Sequence, residues 1–117
     1  MDIQMREVGE TAVLSLSGRL DLANGSTLKD ELKQLFAKGK TQIHLNLAEV
    51  EFINSSGLGA LVSIMKEVRL IKGRLTLSNP ASYVQEIFEI TQLSHIFEIY
   101  STEEEALSSF EASPARA

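Results

Sequence analysis

The spacing of hydrophobic and polar positions changes several times along the chain, and each change marks an element. Ile3 to Val8 is followed by Gly9-Glu10 and then by TAVLSLSG, where Val13 alternates with polar or small neighbours. A period of two on both sides of a short polar turn predicts a β-hairpin. After GRLD the apolar residues fall at Leu28, Leu32, Leu35 and Phe36, one face of a helix, with Asn24 or Ser26 placed to cap it and Gly39 to end it. Ile43, Leu45 and Leu47 then alternate with Gln42, His44 and Asn46, which predicts a strand that Val50 to Ile53 carries onward.

The helical period returns at Leu58, Leu61, Val62, Met65 and Val68 and stops at Gly73. RLTLS, Arg74 to Ser78, predicts a short strand. Asn79-Pro80 offers a cap and a preset first residue for a third helix, whose inner face is Val84, Ile87 and Phe88. Ile96 to Tyr100 predicts the last strand, and STEEEALSSF a final helix. Its capping-box spacing is Ser101 to Glu104 or Thr102 to Glu105, and Leu107 and Phe110 face the body. Strands alternating with helices require crossover connections. The expected class is therefore α/β, a mixed, mostly parallel sheet opened by an N-terminal hairpin and covered by about four helices. Residues 1–111 form a single domain in this reading, and the tail 112–117 is expected to fray.

Composition narrows the chemistry. The 117 residues are 44% hydrophobic and carry a formal net charge of −5, which suits one core and argues against nucleic acid and anionic membrane surfaces as partners. There are no cysteines and only two histidines, so disulfides, thiolate nucleophiles and a metal-ligand constellation are lacking, and no cofactor is expected. The N-terminus MDIQMREVGE lacks a signal peptide's basic and apolar regions, and no stretch reaches the roughly 18 apolar residues of a membrane span. A cytoplasmic location is expected.

The segment INSSGLGAL, Ile53 to Leu61, places two serines where a strand becomes a helix. A hydrolase nucleophile would have Gly two places before and two after it. Ser55 has Ile53 before it and Ser56 has Leu58 after it, so neither fits. Of the possible bases, His44 reads as a partly exposed strand residue and His95 as a loop or helix-end residue. As a phosphate loop, Gly57 and Gly59 begin GxGxxG, but Val62 replaces the third Gly and no GK[ST] follows. A tight turn with close packing of helix on sheet accounts for both glycines. The third possibility is a modified hydroxyl, since free amides and the dipole of a helix N-terminus favour an added negative charge. The simpler alternative, that Ser55 and Ser56 merely cap the helix, stays open beside it.

FINSSGLGALV, with GRLD upstream and NPASYVQEIFEITQLSHIFEIY and STEEEAL downstream, resembles the STAS domain in its stand-alone form, the anti-sigma factor antagonists, from Ile3 to about Phe110. The resemblance implies a partner switch and no enzymatic activity. The unphosphorylated antagonist binds an anti-sigma factor that is also a serine kinase of GHKL type, is released when that kinase phosphorylates it, and is restored by a PP2C-type phosphatase. It places the phosphorylated hydroxyl on the residue before the first Gly, here Ser56, with Ser55 as neighbour and fallback. It also makes Asp21 of GRLD a candidate contact for the kinase; from the residues alone, Asp21 is a helix cap. Around them Asn54, Gly57, Leu58, Gly59 and Ser63 complete the expected docking surface, with Lys66 and Leu70 further along the outward side of the same helix. The family usually has Asp where this chain has Asn54, directly before the hydroxyls, and Asn46, ending the preceding strand. Another use of the fold, as an accessory subunit regulating a transporter ATPase, is the alternative.

Overall fold

In the computed structural model, which describes residues 1–111, the hairpin forms as the alternation predicts. Strand β1 (Asp2–Val8) pairs antiparallel with β2 (Thr11–Leu20) across a turn in which Gly9 takes φ of +60°. Helix α1 (Leu22–Ala37), strand β3 (Gln42–Ile53), helix α2 (Ser55–Leu70) and strand β4 (Arg74–Ser78) follow. Helix α3 (Ser82–Ile90), a single 3₁₀ turn at Leu93–His95, strand β5 (Glu98–Tyr100) and helix α4 (Glu103–Glu111) complete the described chain. The sheet order is β1-β2-β3-β4-β5, and every pair after the hairpin is parallel. This is the mixed α/β sheet with four helices that the pattern predicted. The tail from residue 112 lies outside the described residues.

One sheet face carries Leu14, Leu16, Leu20, Ile43, Leu45 and Leu47, which form one core with Leu28, Leu32 and Leu35 of α1 and Leu61, Ile64 and Met65 of α2. Each fully buried Leu or Ile contributes about 1.5–3 kcal/mol. Beyond Leu47 the alternation fails: the buried residues are Leu47, Val50 and Ile53, three apart. Two irregularities in the β2/β3 register, where β3 advances one residue more than β2, explain the change of period. β3 thus runs seven residues past Asn46, which is a mid-strand residue and does not end the strand as the motif comparison suggested.

The other face is more polar than its sequence implied. His44 is fully buried, where a partly exposed residue was expected, because α4 covers this face with Ala106 and Phe110. Its ring nitrogens meet Thr76 Oγ1 at 2.7 Å and Ser78 Oγ at 2.8 Å. Asn46 Nδ2 donates to Glu103 Oε1 (2.9 Å), and Arg6 from β1 bonds the same carboxylate. At the far end of α4, Arg74 donates to both Glu98 oxygens (3.0 and 2.6 Å) and to the Ser109 carbonyl and hydroxyl (3.0 and 2.9 Å), with Phe110 against its guanidinium. Thr102 Oγ1 accepts the Glu105 amide, which selects the second of the two capping registers.

Element starts match expectation only in part. For α1 the reading of Asp21 as a cap holds over the alternatives Asn24 and Ser26, since Asp21 accepts the Asn24 amide at 3.1 Å. Asn79-Pro80 does not cap α3, which begins at Ser82 after Ala81 and has no side-chain cap. Asn79 is instead a left-handed turn residue with φ of +56°, so the chain is still turning there. The last strand starts at Glu98, two residues after Ile96, because the 3₁₀ turn buries Phe97 against Phe88.

Burial lowers the pKa of His44 to about 4, with the Glu103 charge working to raise it and that of Arg6 to lower it. The unfolded chain therefore binds a proton that the folded chain refuses between its ordinary value of 6.5 and about 4. Burial also works to raise Glu103, but hydrogen bonds from Asn46 and Arg6 and the nearby positive charge hold it below the usual carboxylate value. Both shifts remove stability on acidification. Denaturant unfolding as a function of pH is expected to show stability constant above 6.5 and falling towards 4, by roughly 3 kcal/mol from His44. A His44→Leu variant should lose that slope.

Candidate functional site

The site follows from where β2 and β3 stop. Their last paired residues are Leu20 and Ile53, so the next residue of each chain segment, Asp21 and Asn54, opens a helix beside the other. Asn54 is the cap of α2: its Oδ1 accepts the Gly57 amide at 2.9 Å, and its own amide donates to the Leu20 carbonyl at 3.3 Å. Ser55 and Ser56 are therefore the first two residues of the helix, and the capping role considered for them belongs to Asn54. Among the described residues neither serine hydroxyl makes a hydrogen bond, and both serines are exposed.

The two glycines that follow do different things. A Cβ on Gly57 would sit 2.0 Å from the Leu20 carbonyl oxygen, so only glycine lets the first turn of α2 lie against the end of β2. Gly25 of α1 likewise faces Ala60 of α2, where an added Cβ would come within 2.7 Å of the alanine's. These approaches draw the two helices together at their N-terminal ends. Gly59 has open space around its Cβ position, so the close packing expected of both glycines holds for Gly57 alone.

Between the helices lies a shallow groove of about 220 Å³ lined by Leu22, Ser26, Lys29, Ser56, Gly59 and Ala60. Motif reading nominated Ser56 and Gly59 and missed Leu22, Ser26 and Lys29. The one signal for them was an apolar residue, Leu22, off the Leu28/Leu32/Leu35 stripe; it is 68% exposed. Of the other nominated residues, Asp21 and Asn54 are half-buried caps, Leu58 packs on the core and Ser63 is half-buried. Leu70, at the far end of the helix, is 80% exposed. Asn46 is not part of the site.

No general base serves either serine. His44 lies under α4 on the other sheet face, and His95 sits in the 3₁₀ turn before β5, at the opposite end of the strands. No group of three His, Asp or Glu among the described residues is placed to hold a metal ion. A concavity of about 610 Å³ beside Ser82, Gln85, Phe97 and Tyr100 contains none of the nominated residues. No helix of the described residues is long and apolar enough to cross a membrane.

The sequence that builds this arrangement is matched by a family model. The model for the STAS domain covers residues 2–106. The chain belongs to the STAS domain family. Among its STAS relatives, BtrV of Bordetella bronchiseptica is 28% identical over 116 residues, 99% of this chain and 100% of that protein. The anti-sigma F factor antagonist of Lysinibacillus sphaericus is 30% identical over 99 residues, 84% of each. Among solved structures, the anti-sigma factor antagonist SpoIIAA in its unphosphorylated form superimposes with a TM-score of 0.75 at 27% identity, over 96% of this chain and 100% of that one. The same Bacillus protein has been solved in a phosphorylated form, which matches with a TM-score of 0.73. These relatives are named as anti-sigma factor antagonists, regulatory proteins rather than enzymes.

Substitutions at the two glycines should move stability in opposite directions. Gly57→Ala is expected to lower unfolding free energy by at least about 2 kcal/mol, as strained core contacts do. Gly59→Ala should raise it by about 0.5–1 kcal/mol, the helix preference of alanine with nothing to clash. Asn54→Ala should cost about 1 kcal/mol and Asn54→Asp little, both measured by urea unfolding.

Proposed function

We propose that this protein is an anti-sigma factor antagonist in a partner switch: unphosphorylated, it binds an anti-sigma factor that is also a GHKL-type serine kinase, and phosphorylation of Ser56 releases it. A PP2C-type phosphatase resets the cycle, which runs in the cytoplasm. The observation that carries the reading is the state of Ser56: exposed, free of hydrogen bonds, in the first turn of α2 and on the wall of the groove between α1 and α2. Ser55 is equally free but does not line that groove. Anti-sigma factor antagonists among the relatives, one of them solved with and without phosphate, support the same role.

The physical case rests on charge. A phosphoryl group adds about −1.5 to −2 charges and is locally tolerated beside the free amides of a helix start. The same charge inside a contact surface built around Leu22 and Gly59 must be desolvated by the partner, which weakens the complex. Moving a population from mostly bound to mostly free takes about 5.5 kcal/mol of differential binding. Asn54 helps set the local field: it caps the helix as Asp would, without placing a negative charge next to Ser56. Gly59 supports a docking role too, since an exposed glycine inside a helix weakens the free protein by about 0.5–1 kcal/mol, while its bare backbone lets a partner approach closely.

The test is incubation with the cognate kinase and ATP, followed by site mapping by mass spectrometry. Ser56 should carry the phosphate, Ser55→Ala should remain a substrate and Ser56→Ala should not. Ser56→Asp should bind the unmodified partner about 100-fold more weakly, the scale of an unmatched interfacial charge. A phosphate found elsewhere, together with full binding by Ser56→Asp, contradicts the proposal.

A further inference from the structure

We infer that β1 is a self-association edge, and that two copies of the chain join by antiparallel pairing of β1 with β1 about a twofold axis through Gln4. β1 is the first strand of the sheet order, and among the described residues its outer edge has no partner strand. Its only extensive contacts are with β2, to which all of its residues pair in unbroken register. It is seven residues long, DIQMREV, with no proline, glycine or bulge. Sheet edges are normally protected by shortness, proline, bulges, charged side chains or a covering element, and among the described residues β1 has of these only its charges, Asp2, Arg6 and Glu7. The opposite edge, β5, is three residues long.

Residue identities select one register. Successive residues of a strand direct their amide and carbonyl groups alternately to either side, so a twofold antiparallel pair must be centred on a residue. Centring on Arg6 opposes Arg6 to itself, and centring on Met5 opposes Ile3 to Glu7. Centring on Ile3 leaves Asp2, Arg6 and Glu7 all without an opposite charge. Centring on Gln4 opposes Asp2 to Arg6 of the second copy and Ile3 to Met5 of the second copy, and the twofold axis repeats each pair. Opposite charges and apolar pairs directly across a ladder are the stabilising combinations. The residues are free to make them: Asp2 is exposed and has no ion pair among the described residues, and Met5 is 49% exposed. Arg6 already bonds Glu103, yet its side chain is 52% exposed and its guanidinium has donors left over.

The pairing is closed. A twofold axis uses the same edge of both copies and leaves only the short β5 strands outside, so it makes a dimer and not a fibre. Side-chain parity keeps α1 and α2 of both copies on one side of the joined sheet and α4 on the other. Because the strands are antiparallel across the axis, the two Ser56 grooves lie at opposite ends and neither is covered. The dimer is therefore bivalent for whatever occupies that groove, and this holds whether or not Ser56 is phosphorylated.

The absence of cysteine makes the register directly testable. Opposed residues in an antiparallel pair have Cα atoms about 4.5–5.5 Å apart, inside the span of a disulfide. Gln4→Cys, an exposed position, should crosslink to a dimer under mild oxidation, whereas Glu10→Cys in the exposed hairpin turn should not. Sedimentation equilibrium of the unmodified chain at millimolar concentration should show mass rising from 12.9 kDa to twice that value. Asp2→Arg alone and Arg6→Glu alone should each sediment as monomers, and an equimolar mixture should restore the dimer, because the two charge changes complement each other only across the axis. A monomer at millimolar concentration, equal crosslinking at residues 4 and 10, or a dimer indifferent to Asp2→Arg would overturn the inference.

Discussion

The contact of Gly57 with the Leu20 carbonyl is the constraint on which the rest of the site depends. The parallel register brings Leu20 and Ile53 together, and each strand hands its chain to a helix one residue later. Two helices starting side by side need room for their first turns against the strand ends. Asn54 meets that need by bonding backwards to the Leu20 carbonyl and forwards to the Gly57 amide. Gly57 then occupies space that no side chain could share, and Gly25 lets α1 close on Ala60. What is left over is the groove with Ser56 on its wall. The free hydroxyl is thus a consequence of the cap: because Asn54 takes the helix amide, neither serine has to.

The sheet divides the labour between its faces. On the α1/α2 face, apolar side chains supply stability and the helix ends supply the surface that a partner reads. On the α4 face, His44 bonds Thr76 and Ser78 within the sheet and α4 buries this strip, while Asn46 and Arg6 beside it meet Glu103 only when α4 is in place. Arg74 fixes the other end of that helix through Glu98 and Ser109. Such a polar seam is directional in a way an apolar one is not, since each donor must meet its acceptor. It locks α4 in one position, far from the serine, and leaves the α1/α2 end free to be shaped by recognition.

The Asn residues that depart from the family's usual Asp separate into two unrelated cases. Asn54 is at the site and keeps the hydrogen bond of a cap while dropping the charge. Asn46 is on the opposite face, where its amide donates to Glu103 and its oxygen accepts from Ala48. An Asp at position 46 would set two carboxylates against each other, so the neutral residue suits the α4 contact. β3, continuing through two register shifts, carries the two positions apart.

Local chemistry determined much of this protein before any fold was built. Period-two and helical spacings specified the hairpin, the order of the strands and helices and the class of sheet, because both periods follow from backbone geometry within a few residues. The SSGLG segment marked the strand-to-helix turn from adjacent residue types, and the family resemblance, not the residues alone, singled out Ser56 within it. Other features were decided only by tertiary structure. The burial of His44 depends on a helix about 60 residues later, which alternation within β3 cannot report. Asn54 took the cap position considered for Ser55 and Ser56 because Leu20 and Ile53 stop together, a matter of register between strands distant in sequence. Leu22, Ser26 and Lys29 joined the site because Gly25 admits Ala60. In each case the deciding contact joins residues dozens of positions apart, and a pattern read along one segment contains no term for it.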